Sequence, residues 1–171
     1  MMGCSNPHPH GQIWASDTVP NDVQAEITSF AAWRSRKSSC LLCDYVALEL
    51  RKGERVVASN DGFVALVPYW AYWPYEVLIA PRFHAAHLSA LDAPQKDQLA
   101  DILRQVTCKY DNLFQSSFPY SLGVHQLAQN VVDAANYHMH IHIHPPLLRS
   151  ATVKYAIGCF ERNILFMFAT F

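Results

Sequence analysis

The hydrophobic pattern along the chain alternates between two periods. From Asn21 to about Lys37 the positions Val23, Ile27, Phe30 and Arg34 recur at helical spacing, and Asn21 or Asp22 can cap the start. Ser38-Ser39 interrupts this run. A second helix follows with Leu41, Leu42, Tyr45, Val46 and Leu48, ending at Lys52-Gly53, a basic last turn before a glycine. The period then drops to two. Arg55–Ser59 and Phe63–Pro68 read as strands joined by Asn60-Asp61-Gly62, a hairpin signal, and Tyr75–Ala80 reads as a third strand stopped by Pro81. The region from Ser89 to Pro94 opens a long helix with Leu99, Ile102, Leu103, Val106, Tyr110 and Leu113 on one face. Tyr120–Leu127 and Asn136–His144 predict two more strands, the last ended by Pro145-Pro146. Helices flanking an antiparallel sheet define an α+β class. The tail 163–171 is apolar and shows neither period.

The strand at 136–144 carries unusual chemistry. His138, His140, His142 and His144 occupy the even positions; Tyr137, Met139, Ile141 and Ile143 occupy the odd ones. One face is therefore imidazole and the other apolar. Ordinary half-buried strands alternate apolar residues with Lys, Glu or Thr, so four histidines in step point to metal ligation or to phosphate chemistry. For a metal, His125 on the neighbouring strand and one carboxylate would complete the shell. Glu26, Glu49 and Asp133 are all candidates, and spacing does not choose among them.

A second histidine pair lies in Gly3-Cys4-Ser5-Asn6-Pro7-His8-Pro9-His10-Gly11-Gln12. The prolines favour extended backbone, which places His8 and His10 on one side. A neutral imidazole, with an unperturbed pKa of ~6.5, attacks phosphorus well and splits one hard transfer into two easier ones. The Gln12 amide can donate to a phosphoryl oxygen without adding charge, and Gly11 lets backbone approach closely. Ser5 and the amides around Gly3 to Asn6 could hold a further phosphate.

Composition narrows the partners. The 171 residues are 51% hydrophobic and 16% charged with a formal net charge of -1, enough for a core but with no electrostatic pull toward nucleic acid or an anionic membrane. The longest apolar run, Ile164–Phe171, is far short of the ~20 residues of a spanning helix. Five cysteines, at 4, 40, 43, 108 and 159, come without a visible signal peptide, which points to the reducing cytoplasm rather than to disulfides. Cys40-Leu41-Leu42-Cys43 has metal-ligand spacing, but it falls inside an apolar helical pattern with no second pair nearby, so both read as small core residues. His84 and His87 read as structural or solvent-facing, and Trp70 and Trp73 as core or interface aromatics.

The runs GCSNPHPHGQIW, PYWAYWPYE, DNLFQSSFPYS and HIHPPLLRSATV resemble the galactose-1-phosphate uridylyltransferase family, from Met2 to about Val153. That family belongs to the histidine-triad superfamily, whose His-φ-His-φ-His-φ pattern 138–143 also satisfies. The resemblance implies a histidine-triad-like α+β fold, incomplete at the N-terminus. Residues 1–20 would end an N-terminal catalytic domain and 21–171 would form a C-terminal domain. It implies transfer of uridylyl from UDP-glucose to galactose 1-phosphate by double displacement in a cytoplasmic homodimer. His10 would be the nucleophile, Gln12 would contact the phosphoryl group, and Gly3, Cys4 and Ser5 would line the UDP site. His8 would bind zinc. Glu26, His125, His140 and His142 would hold iron or a second zinc. Lys154, with Tyr155, and Phe160-Glu161 would reach substrate bound by the partner subunit. The family's remaining zinc ligands, a Cys-x-x-Cys pair and a histidine, lie in an N-terminal half not found in these residues, so the chain reads as truncated with a half-built zinc site. Two rival readings remain: a histidine-triad nucleotide hydrolase that depends on His142 and uses water as acceptor, and a metal-binding remnant that forms no covalent intermediate.

Overall fold

The computed structural model describes residues 19–118, 120–127 and 136–144, and the short strand segments 147–148, 154–155 and 166–167. Two helices come first, α1 (Asn21–Lys37) and α2 (Leu41–Lys52). Each ends on a left-handed residue, Ser38 at φ 55° and Gly53 at φ 72°, whose N–H returns to a carbonyl four residues back. The strands β1 (Val56–Ser59), β2 (Phe63–Leu66) and β3 (Val77–Pro81) follow, then a short 3-10 turn at Leu88–Ala90 and the long helix α3 (Ala93–Phe114). Asp92 caps α3 through a reciprocal bond pattern with Gln95, and Pro94 sits in its first turn. β4 (Ser121–His125) and β5 (His140–His144) complete the main sheet, and β6 (Leu147–Leu148), β7 (Lys154–Tyr155) and β8 (Phe166–Met167) are two-residue strands.

The order in the large sheet is β1-β2-β3-β5-β4-β8, antiparallel throughout, while β6 pairs with β7 separately. The α+β class expected from the pattern is thus what forms. The Asn60-Asp61-Gly62 turn closes the first hairpin as expected: the Asn60 Oδ1 accepts from the N–H of Gly62 and Phe63. A side chain at Gly62 would meet the Gln98 amide of α3, which packs over this glycine and would have to move aside.

The strands are shorter than the alternating pattern predicts. Pro81 is included, as the last residue of β3 opposite Phe63. His138 falls outside β5, in the segment leading into it. Both faces of the sheet are covered. Phe63, Ala65, Val77, Ile79, Met139, Ile141 and Ile143 pack with Ile102, Val106 and Tyr110 of α3. Val64, Leu66, Leu78 and Ala80 pack on the other side with Val23, Phe30, Leu42 and Val46 of α1 and α2. Every residue of β2, β3 and β5 is buried. The histidines of β5 face the α1 side, since His142 lies opposite Leu78.

Candidate functional site

α1 buries the stripe Val23, Ile27 and Phe30, and Glu26 stands at i+3 on the same stripe. That position drives a carboxylate against the sheet. There it meets β4 and β5, where His125 pairs in register with His140. Nδ1 of His125 lies 2.7 Å from Oε1 of Glu26, and Nε2 of His140 lies 3.3 Å from the same oxygen. The Tyr137 hydroxyl donates to Oε2 at 2.7 Å. His142 closes the group: its ring centroid is 4.7 Å from that of His125 and 5.0 Å from that of His140. One donor atom from each of Glu26, His125, His140 and His142 falls within 4.8 Å of the others.

The electrostatics suit a cation. Burial works against the Glu26 carboxylate, yet the hydrogen bond from His125 and the adjacent His140 ring outweigh it and hold the carboxyl far below its usual range. Burial pushes His125 and His142 down, which favours the neutral imidazole a metal ion needs. Nε2 of His125 and Nδ1 of His142 are buried without a hydrogen-bond partner. Such orphaned atoms cost ~1–3 kcal/mol each, and a metal ion held by these rings would offset that cost.

Of the three candidate carboxylates, Glu49 is otherwise engaged. It is fully buried, and the Arg55 guanidinium binds it through Nε and Nη2 at 2.7–3.1 Å. Asp133 lies outside the described residues, as do Gly3, Cys4, Ser5, His8, His10, Gln12, Phe160 and Glu161; Lys154 lies in β7. Glu76 escaped the sequence reading. It is buried, accepts from the N–H of Tyr72 and Trp73, and sits 4.0 Å from Nδ1 of His142. Together with His144 it forms another donor group, all of it buried, that shares His142. Its backbone bonds mark it first as the anchor of the β2–β3 loop. Tyr137, the hydrogen-bond partner of Glu26, was also missed, because an aromatic on the apolar face of a strand carries no polar signal.

The largest departure from expectation concerns Cys40 and Cys43. Cys40 is buried in the core between α1, α2 and the sheet and Cys43 packs against it, as expected, but the pair does not lie inside a helix. Cys40 is the residue before α2 and Cys43 sits in its first turn, so the helix begins at the motif instead of running through it. Both thiols meet His138, at 3.6 and 3.1 Å from its Nδ1, and Cys43 also lies 3.6 Å from Nδ1 of His84. The exposed His84 is therefore not only solvent-facing; its ring stands 5.5 Å from that of His138. Hydrogen bonding to Cys43, and then to His138, pulls the Cys40 thiol down, while the same contact pushes Cys43 up. Trp70 is exposed and Trp73 half-buried, so neither is a core aromatic.

An antiparallel sheet clamped by helices, with a histidine-bearing strand aimed at a helix carboxylate, defines an α+β protein with a candidate metal-ligand group. The family follows from comparison. The family model described as galactose-1-phosphate uridyl transferase, C-terminal domain, matches residues 26–161, and that for the N-terminal domain matches residues 1–20. The chain belongs to the galactose-1-phosphate uridyl transferase family. The galactose-1-phosphate uridylyltransferase of Haemophilus influenzae is 49% identical over 158 residues, 92% of this chain and 45% of that protein. That of Saccharomyces cerevisiae is 46% identical over 162 residues, 94% of this chain and 44% of that protein. The chain thus spans less than half the length of these relatives. A solved structure of uridylyltransferase superposes with a TM-score of 0.76 at 32% identity, covering 92% of this chain and 49% of that one. An Arabidopsis thaliana ADP-glucose phosphorylase with bound ADP-glucose shares the fold, with a TM-score of 0.67 at 23% identity over 81% of this chain and 46% of that one.

Proposed function

We propose that this chain carries the chemistry of a nucleotidyltransferase that exchanges uridylyl between UDP-glucose and galactose 1-phosphate. The observation that carries this reading is GCSNPHPHGQ within a chain of the uridyl transferase family. Neutral His10 attacks the α-phosphorus of UDP-glucose, the bond to the glucose 1-phosphate oxygen breaks, and uridylyl-His10 forms. Galactose 1-phosphate then attacks the same phosphorus, UDP-galactose leaves, and the His10 lone pair is restored. Gln12 donates to a non-bridging oxygen, where charge builds in each transition state. Gly3, Cys4 and Ser5 line the UDP site, and Lys154, Phe160 and Glu161 reach toward the substrate of a partner subunit. His8 is a zinc ligand. Residues 1–20 belong with an N-terminal catalytic domain and residues 21–171 with the C-terminal one.

Glu26, His125, His140 and His142 would hold iron or zinc, and the orphaned nitrogens of His125 and His142 support that fit. When bound, the ion would supply positive charge that ties α1, β4 and β5 together. A homodimer is supported by the exposed Tyr69, Trp70, Tyr72 and Tyr75 of the β2–β3 loop, a patch suited to a partner. The free state of Cys40, Cys43 and Cys108 supports a cytoplasmic setting. No described helix is long and apolar enough to cross a membrane.

The hydrolase reading needs His142 open to substrate, and His142 is 9% exposed behind His125 and His140. The transferase reading is tested by the intact mass of the chain after incubation with UDP-glucose at neutral to alkaline pH. A uridylyl adduct that maps to His10 and vanishes in His10→Ala is expected. A folded chain that forms no adduct leaves the metal-binding remnant as the better reading, and an adduct on His142 favours the hydrolase.

A further inference from the structure

The Cys40–Cys43 cluster is used by nothing in the proposed transfer, and its geometry is that of a ligand set. We propose that Cys40, Cys43, His84 and His138 form a closed, tetrahedral structural zinc site in this chain. The claim does not depend on His10, nor on what the Glu26 cluster binds.

Distance is the first argument. In a tetrahedral site with Zn–S of ~2.3 Å and Zn–N of ~2.0–2.1 Å, the sulfur-to-nitrogen edges are about 3.5 Å. The observed edges are 3.1, 3.6 and 3.6 Å, and one donor atom from each of the four residues lies within 4.8 Å of the other three. Hydrogen bonding among thiols and imidazoles needs only pairs; it gives no reason for four donors to converge.

Orientation is the second. Nε2 of His138 lies 3.2 Å from the carbonyl of Pro81 and donates its proton there. That bond leaves Nδ1 as a lone pair facing both sulfurs, the outer-shell arrangement that holds a histidine ligand in its binding tautomer. Cys40 at the α2 cap and Cys43 in its first turn both project from a helix N-terminus, whose dipole favours thiolate.

Donor chemistry selects the ion. Two thiolates neutralise a divalent charge and two imidazoles add none. Soft sulfur with imidazole nitrogen in four-fold geometry suits zinc over calcium or magnesium. With four protein ligands the site has no open position, so its role is to hold the fold. It would pin the start of α2 to the end of β3 and the entry to β5, elements 41 to 98 residues apart in sequence. It would also steady the neighbouring cluster, because Nδ1 of His140 donates to the His138 carbonyl at 3.0 Å and so presents Nε2 to Glu26.

The test uses the full chain purified under reducing conditions, with zinc counted by elemental mass spectrometry and the metal then exchanged for cobalt. We expect one zinc per chain that the Cys40→Ser/Cys43→Ser pair lacks. Cobalt should give an intense near-ultraviolet thiolate charge-transfer band that survives in Glu26→Ala and Cys108→Ser and is lost in the paired variant. A wild-type chain without that band, or a band unchanged in the paired variant, overturns the site. A zinc-free Cys40–Cys43 disulfide in the reduced preparation overturns it too. Should the paired variant fail to fold, His84→Asn replaces an exposed ligand at little cost to the core. Its zinc affinity against a chromophoric chelator should fall at least tenfold, and an unchanged affinity refutes the assignment.

Discussion

Two donor clusters share one run of histidines and differ in almost everything else. The Glu26 cluster draws on a carboxylate from the buried stripe of α1 and on three strand imidazoles. The Cys40 cluster draws on two thiols from the start of α2, a loop imidazole, and His138 just before β5. The first lies against the sheet under Phe30, whose ring stacks edge-on against Tyr137; the second opens to solvent at His84. The difference teaches that histidine alternation alone does not define a site. The element that faces each imidazole decides which ion it can serve: a carboxylate makes a harder site, thiols a softer one.

The sharpest way to separate the histidine face from the apolar face of β5 is Ile141→Ala. Ile141 is 2% exposed, and its truncation should cost about 4 kcal/mol while leaving the metal content of the folded fraction unchanged. Urea denaturation with elemental analysis checks both. A smaller loss, about 3 kcal/mol, is expected for Glu26→Ala, since the His125 ring and the Tyr137 hydroxyl lose a half-buried carboxylate acceptor. Unlike Ile141→Ala, it should empty the nitrogen–oxygen site and leave the thiolate band in place.

Acid should act on the same cluster in a graded way. His125 and His142 have folded pKa values below 6.5, so the unfolded chain binds more protons once the pH falls below that value. The chelator-treated chain should therefore lose stability from pH 7 to 5, and thermal melts across that range would show it. A melting temperature flat over the window contradicts neutral, buried imidazoles. The smallest effect, about 1 kcal/mol, is expected for Tyr137→Phe, which removes one hydrogen bond to Glu26 and keeps the ring against Phe30. Metal content should not change.

Much of this was legible in the chain. The helix stripes, the Asn60-Asp61-Gly62 turn, the α+β class and the pairing of His125 with the histidine strand all follow from local period and turn chemistry. Glu26 was legible in part: an acidic residue on a buried helical stripe is costly unless partnered, but Glu49 satisfies the same rule beside Leu42 and Val46. Arg55, six residues on, takes Glu49, and that choice depends on how α2 meets β1. The core placing of the cysteine pair was legible; its convergence with His84 and His138 was not, because hydrophobic spacing extended the helix through the pair. Cys-x-x-Cys spacing across a helix start would have been the better signal.

Alone, the sequence determined where the period changes, which face of β5 bears imidazole, and the motif of its first dozen residues, because these rest on neighbours along the chain. Tertiary structure decided which carboxylate reaches His125 and His140, and that His84 and His138 meet two thiols. Those partners are 41 to 114 residues apart, and only the packing of α1 and α2 on the sheet brings them within reach.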